Sequence, residues 1–462
     1  MTPTIPLKDS QFNLDISGVA GFFGGDVAVS AMATVHIYQG RKWLGWYNSP
    51  GSYEIAKRYG QLGRTRFWDG LYPGINVDPA VLFELDGMNG PKYRGVQSGT
   101  IISKTGHLAH LFMQECRDIP QNQVRVISQG RETTRVSVTL VDLHHQPEPK
   151  EHPRLFRDST TPLASIPILA SCATCLACAV YHDWFCFSMI LLGMFSSGVS
   201  CFVIGTGIFT FTHPRHASGA PPGDGILVSE TDSEVVVLRG SEGAVTPITR
   251  GRFSLKFASE PDYHSIGGCS LLLTGQFLAQ LLLVPQGKIF GQIMFLCSLA
   301  VSWGYNSYLS SLDRESFQRR ILFDQVLQNP SRQKYNFGTR TTMVVFVLLV
   351  LSSAEREALR KMLDDLLPNE TPVWRAWKGA VIEQVCTAGR EAKVPQEVRF
   401  RCVTDGPLNE SDHKLLETLF GDAKTAFGAY YGCNFHRPLL GERTAGDSMS
   451  KSEERSAYPR QH

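Results

Sequence analysis

Four stretches of this chain contain no Asp, Glu, Lys or Arg: Leu163 to Tyr181, Phe185 to Phe211, Ile266 to Val284, and Ile289 to about Leu309. A helix of roughly 20 apolar residues crosses a hydrocarbon core of about 30 Å. It also satisfies its own backbone polar groups, which lipid cannot do. Only His182, Asp183 and Trp184 separate the first two stretches, and only Pro285, Gln286, Gly287 and Lys288 separate the last two. Gaps this short join antiparallel neighbours. The sequence therefore predicts a polytopic α-helical membrane protein with two transmembrane hairpins, four spans in all, at residues 163–211 and 266–309.

Charge placement gives this scheme a direction. Lys150, Arg154, Arg157, Arg215, Arg250, Arg252, Lys256, Arg314, Arg319 and Arg320 flank the apolar stretches, whereas the tight turns carry Lys288 alone. By the positive-inside rule, both termini, the central loop and the segment after the fourth stretch are expected in the cytoplasm of a multi-pass protein. The opening MTPTIPLKDSQFNLDISG has neither the basic start nor the apolar core of a secretory signal, so insertion is assigned to the internal helices.

Outside the apolar blocks the chain is ordinary soluble sequence. Residues 1–160 are read as a β-rich region, with strands at Gln123–Ser128 and Thr133–Asp142. The Gly-rich run Ile16–Tyr38, interrupted by Asp26, is a poor span and reads as strands or a packed helix. The central loop, residues 212–265, offers short strands at Ile226–Ser229, Glu234–Arg239, Ala244–Thr249 and Phe253–Phe257, which are expected to complete one β unit with the N-terminal strands. Residues 310–330 suggest a juxtamembrane amphipathic helix, with Arg314, Arg319 and Arg320 as candidate lipid-facing basic residues. A small α/β region at 336–440 follows, and a polar tail at 441–462 reads as disordered. Within the α/β region, Thr341–Leu351 is about half the length of a span and rich in β-branched residues, so it predicts a buried strand; a second strand is expected at Val398–Val403.

No catalytic signature accompanies this layout. The phosphate-binding, dinucleotide, nucleophile-elbow and kinase patterns are all missing from the sequence. Cys172, Cys175, Cys178 and Cys186 have a ligand-like spacing, but seven of the cysteines lie in apolar blocks, where a small thiol is more often packing than metal ligation. His107 and His110, with His144 and His145, lack an acidic partner at a diagnostic spacing. No cofactor or metal is assigned. His182 and Asp183 sit at a turn beside the interfacial aromatics Tyr181 and Trp184, and anchoring explains them. Between Arg41 and Tyr72, six basic residues interleave with eight aromatic ones, which reads as an aromatic core with a solvated basic face or as a surface for anionic headgroups.

One apolar stretch carries a packing stripe. Gly193, Ser197, Cys201 and Gly205 recur every fourth position on one face of the second stretch and invite close approach by another helix, of this chain or of a second copy. The net charge of +2 gives no case for a nucleic-acid partner. The expected partners are the lipid bilayer and a cytoplasmic protein, or a second copy of the chain. Function reads as a membrane-anchored interaction or scaffold protein. The alternatives are an oligomeric channel or transporter subunit and a membrane-bound enzyme whose site is dispersed in sequence.

Overall fold

The computed structural model describes residues 23, 25–63, 65–74, 77–119, 123–144, 152–155, 160–257, 263–390, 398–401 and 409–432. The tail at 441–462 lies outside them, as do the first residues of the Ile16–Tyr38 run.

The described N-terminal part contains helices α1 (Gly25–Ile37), α2 (Ser52–Leu62), α3 (Arg66–Leu71) and α4 (Pro79–Leu82), strands β1 (Lys92–Gly95) and β2 (Ile101–Ile102), helix α5 (His107–Arg117), and strands β3 (Gln123–Val126) and β4 (Val136–Asp142). Two long apolar helices follow, α6 (Ser165–Val180) and α7 (Trp184–Ile204). The middle of the chain supplies β5 (Ile208–Thr212), β6 (Gly225–Val228), β7 (Glu234–Arg239), α8 (Glu242–Thr249) and β8 (Arg252–Lys256). Then come α9 (His264–Leu283), α10 (Ile289–Ser310), α11 (Arg314–Ile321), β9 (Ser331–Phe337), α12 (Arg340–Val350), α13 (Arg356–Leu366), α14 (Pro372–Arg390) and α15 (Glu410–Gly432).

Seven strands form one mixed sheet in the order β2-β1-β6-β7-β4-β9-β3, parallel at β4–β7 and β3–β9 and antiparallel elsewhere. β7 pairs along its whole length with β4, from Glu234 opposite Ser137 to Arg239 opposite Asp142, which joins the N-terminal region to the central segment. Period-two alternation buries both faces. Val138, Leu140, Val235 and Val237 meet the C-terminal helices in one core, while Val141, Val236 and Leu238 belong to a second core that continues into the long helices. The small two-stranded β5–β8 sheet, carrying Phe209, Phe211, Phe253 and Leu255, belongs to that second core.

This architecture overturns the four-span polytopic scheme. The protein is mixed α/β around a seven-stranded sheet, and among the described residues three helices, not four, are long and apolar enough to cross a membrane: Thr161–Val180, Trp184–Ile204 and His264–Gln286. α10 is long enough, but Gln292, Ser298, Ser302 and Asn306 make one of its faces polar, and those residues are buried against its neighbours. It packs on α6 and α1.

Several local expectations fall for identifiable reasons. The 341–351 run is helix α12, not a strand. Thr339 caps it by accepting a hydrogen bond from the Thr342 amide, and residues 342–349 are all buried between the sheet and α15. A run buried all round carries no periodicity, so β-branched propensity misleads and tertiary burial decides. Ala244–Thr249 is likewise the core of α8. Residues 398–401 form no strand, and the end of the expected Val398–Val403 strand lies outside the described residues. α11 is amphipathic, but its apolar face (Phe317, Ile321) is buried in the core that continues through Leu322, Phe323 and Val326, so that face packs on protein.

Candidate functional site: a polar seam among the apolar helices

The stripe on α7 is filled by a segment of the same chain. After α1, the chain makes a turn of 3-10 helix (Arg41–Trp43), and residues 44–51 then run without regular structure between the long helices. A Cβ at Gly45 would collide with Cys201, and one at Gly198 with the indole of Trp46. One at Gly193 would strike the Asn48 carboxamide. Ser197 is buried, and its carbonyl lies 3.1 Å from the Cβ position of Gly45. Gly205 ends the helix at φ +66, and its carbonyl accepts a hydrogen bond from His36 Nδ1 at 2.7 Å. Three of the four stripe residues, Gly193, Ser197 and Cys201, therefore meet the inserted segment, whereas Gly205 meets the last turn of α1. Gly193 lies nine residues beyond Trp184, so Asn48 sits about 14 Å along α7, close to its middle.

Irregular backbone buried among apolar helices must find its hydrogen bonds within the protein, and side chains from several long helices converge to supply them. Asn48 N donates to Ser171 Oγ of α6 (3.1 Å), and Asn48 Nδ2 donates to Ser298 Oγ of α10 (2.9 Å). Gln280 Nε2 of α9 donates to Asn48 Oδ1 and to the Met189 carbonyl of α7, both at 3.2 Å. Tyr47 Oη donates to Asn306 Oδ1 (2.9 Å), whose Nδ2 donates to Ser49 Oγ (3.2 Å). Beside this chain of amides, Ser49, Ser52, Ser197, Ser200 and Gln276 line a cavity of about 10 Å³ together with Met32, Ile55 and Leu273. Gln276 Oε1 is buried without a hydrogen bond, and buried Ser200 has only the Cys269 thiol beside it.

At each end the seam is clipped. At the tight turns, Asp183 caps α7 by accepting from the Cys186 amide (3.2 Å) and also accepts from the Lys288 amide (2.8 Å), while Lys288 Nζ donates to the carbonyls of Tyr181 and His182. At the opposite end, His36 Nδ1 must carry the proton donated to Gly205, so Nε2 accepts from Tyr59 Oη at 2.9 Å. Burial pushes the His36 imidazole down to about 4, a shift the Gly205 hydrogen bond only partly opposes. Arg41, also buried, donates to Tyr305 Oη and Thr160 Oγ1.

The other singled-out residues lie elsewhere. Arg314 donates to the Phe83 carbonyl and Ser30 Oγ, and Arg319 pairs with Asp118, so both are engaged with protein groups; the side chain of Arg320 is exposed and also interacts within the protein. His107 meets Gln318, and His110 meets Gln114. Among the described residues no group of three or more His, Cys, Asp or Glu could hold a metal ion. Cys175, Cys178 and Cys186 are buried free thiols among the apolar helices, and Cys172 is an exposed one. Of the aromatics between Arg41 and Tyr72, Tyr47, Tyr59, Trp68 and Tyr72 are buried, while Trp43 and Phe67 face outward.

Sequence reasoning placed the stripe but missed its occupant. The available signal was the pairing of small residues on α7 with Gly45 and with the breaker-rich Asn48-Ser49-Pro50-Gly51, together with Gln and Asn residues in α9 and α10 that lipid would not tolerate unpaired. Protein-family models, curated proteins and solved structures were compared with the chain, and none matches it.

Proposed function

We propose that this protein is a membrane-anchored interaction or scaffold protein, in which the apolar helices hold the mixed sheet beside a bilayer. The observation that carries this reading is an uncovered apolar belt on the long helices: Leu169, Leu176 and Leu282 are each about two-thirds exposed, beside Leu191, Phe195 and Leu278. Such a surface needs lipid or a partner. The polar seam is turned inward, with most of its groups bonded to one another, and serves as a lock that makes the anchor rigid. The excess of Lys and Arg around the sheet end favours the cytoplasmic side for that end. Because the α7 stripe is occupied by residues 44–51, a partner protein is sought on the sheet and its helices instead.

The test is fractionation of the full chain expressed in cells. Under this reading the protein stays in the membrane pellet through alkaline carbonate and is released only by detergent. Recovery as a monodisperse soluble protein without detergent would refute the reading.

A further inference from the structure

The cavity beside the amide chain lies where the inserted segment turns into α2. Gln280 Nε2 donates to the Met189 carbonyl, which can only accept, so Gln280 Oε1 is the atom facing Gln276 Nε2 at 3.4 Å. This fixes the orientation of Gln276 in turn and leaves its Oε1 as the unpartnered atom. Gln276 and Ser200 are both about 1 % exposed. The hydroxyl of Ser200 faces the weakly polar Cys269 thiol, to which it can donate, and keeps its lone pairs for a further partner. The third wall is the start of α2, whose cap residue Gly51 (φ +73) has no side chain to receive the first-turn amides.

From this geometry we infer a binding site for one neutral water molecule, bridging Gln276 Oε1, Ser200 Oγ and the first turn of α2. An acceptor oxygen aimed inward argues against an anion, and the positive end of a helix with no carboxylate in the lining argues against a cation. A molecule that both donates and accepts fits all three walls. The volume of about 10 Å³ is room for one water molecule, and two to four polar partners are what an internal water needs. The water donates to Gln276, exchanges a hydrogen bond with the Ser200 hydroxyl and accepts from α2, so the turn of the inserted segment is held through it to both α7 and α9.

The test uses the full chain in detergent, with Ser200→Thr, which puts a methyl group where the water would sit, and Gln276→Met, which removes its acceptor. Water oxygen-17 relaxation dispersion, whose amplitude counts long-lived internal waters, should fall by one molecule in each variant. Ser200→Thr should lower Tm by about 1–3 °C, because Gln276 Oε1 is left dry. A rise in Tm for Ser200→Thr with unchanged dispersion would show an empty cavity and overturn the inference. So would a Tm of the unmodified protein that shifts with sodium or with bromide at constant ionic strength, if that shift is lost in Ser200→Thr, because the occupant would then be an ion.

Discussion

The two halves of this molecule are held together by opposite means. Between the sheet and the C-terminal helices lies a dry core: Phe346 stacks its ring about 5 Å from those of Tyr335 and Phe337, and residues 343–349 are all apolar and fully buried. Among the long helices the interior is wet in composition, with Asn48, Gln276, Gln280, Asn306 and five or more serines buried together. The reason lies in what surrounds each half. Under the proposed membrane anchoring, helices that face lipid with leucine and phenylalanine gain little from burying more of the same, so packing of small residues and hydrogen bonds between helices must specify their arrangement. The sheet region keeps most of its charged residues outside this core and pairs buried ones such as Lys378 with Asp364, so it can rely on apolar burial.

Substitutions separate the two regimes. The largest expected effect is in the dry core, where Phe346→Ala should cost about 3–5 kcal/mol in denaturant unfolding; a loss below about 1 kcal/mol would show that α12 is not buried as described. Next comes pH. His36 is held neutral in the folded state, with its pKa lowered from 6.5 to about 4, so the unfolded chain binds more protons between those values. Stability is full above about 6.5 and falls with pH by up to about 1.4 kcal/mol per unit until about 4. Comparing pH-dependent unfolding of the wild type with His36→Gln should remove that part of the slope; identical profiles would place His36 in solvent.

In the seam, Asn48→Leu should cost about 1–3 kcal/mol, since it deprives Gln280 Nε2 of one acceptor. The double variant Asn48→Leu with Gln280→Leu should cost less than the sum of the two singles, the mark of a shared polar network, and strict additivity would dissolve the network. At the small end, Lys361→Ala, which removes a 3.7 Å pair with Glu357 on an exposed turn of α13, should change stability by less than about 0.5 kcal/mol.

Legibility followed the same division. The strands β4 and β7 were readable because turn residues bound each of them and their β-branched, apolar residues form short runs. The three apolar helices were readable from length and lack of charge. α12 and α8 were not, because burial on all sides erases the periodicity that separates helix from strand. α10 reads as a fourth span because a charge-free window does not reveal that Gln292, Ser298 and Asn306 share a buried face. The stripe Gly193, Ser197, Cys201, Gly205 announced close approach, but nothing local in α7 says that the approaching element is an irregular segment some 150 residues earlier in the chain; only the complementary small and breaker residues at 45–51 hint at it.

The insertion of residues 44–51 against α7 is best tested by a size exchange at its tightest contact, where the indole of Trp46 occupies the space above Gly198. Thermal unfolding of the purified full chain in detergent is measured for Gly198→Leu, Trp46→Ala and the double variant. Each single change should lower Tm, the first by overpacking and the second by leaving a void. In the double variant the leucine fills the space the indole vacates, and Tm should rise above that of Gly198→Leu alone. Losses that simply add would contradict the contact, and with it the placement of the inserted segment in the α7 groove.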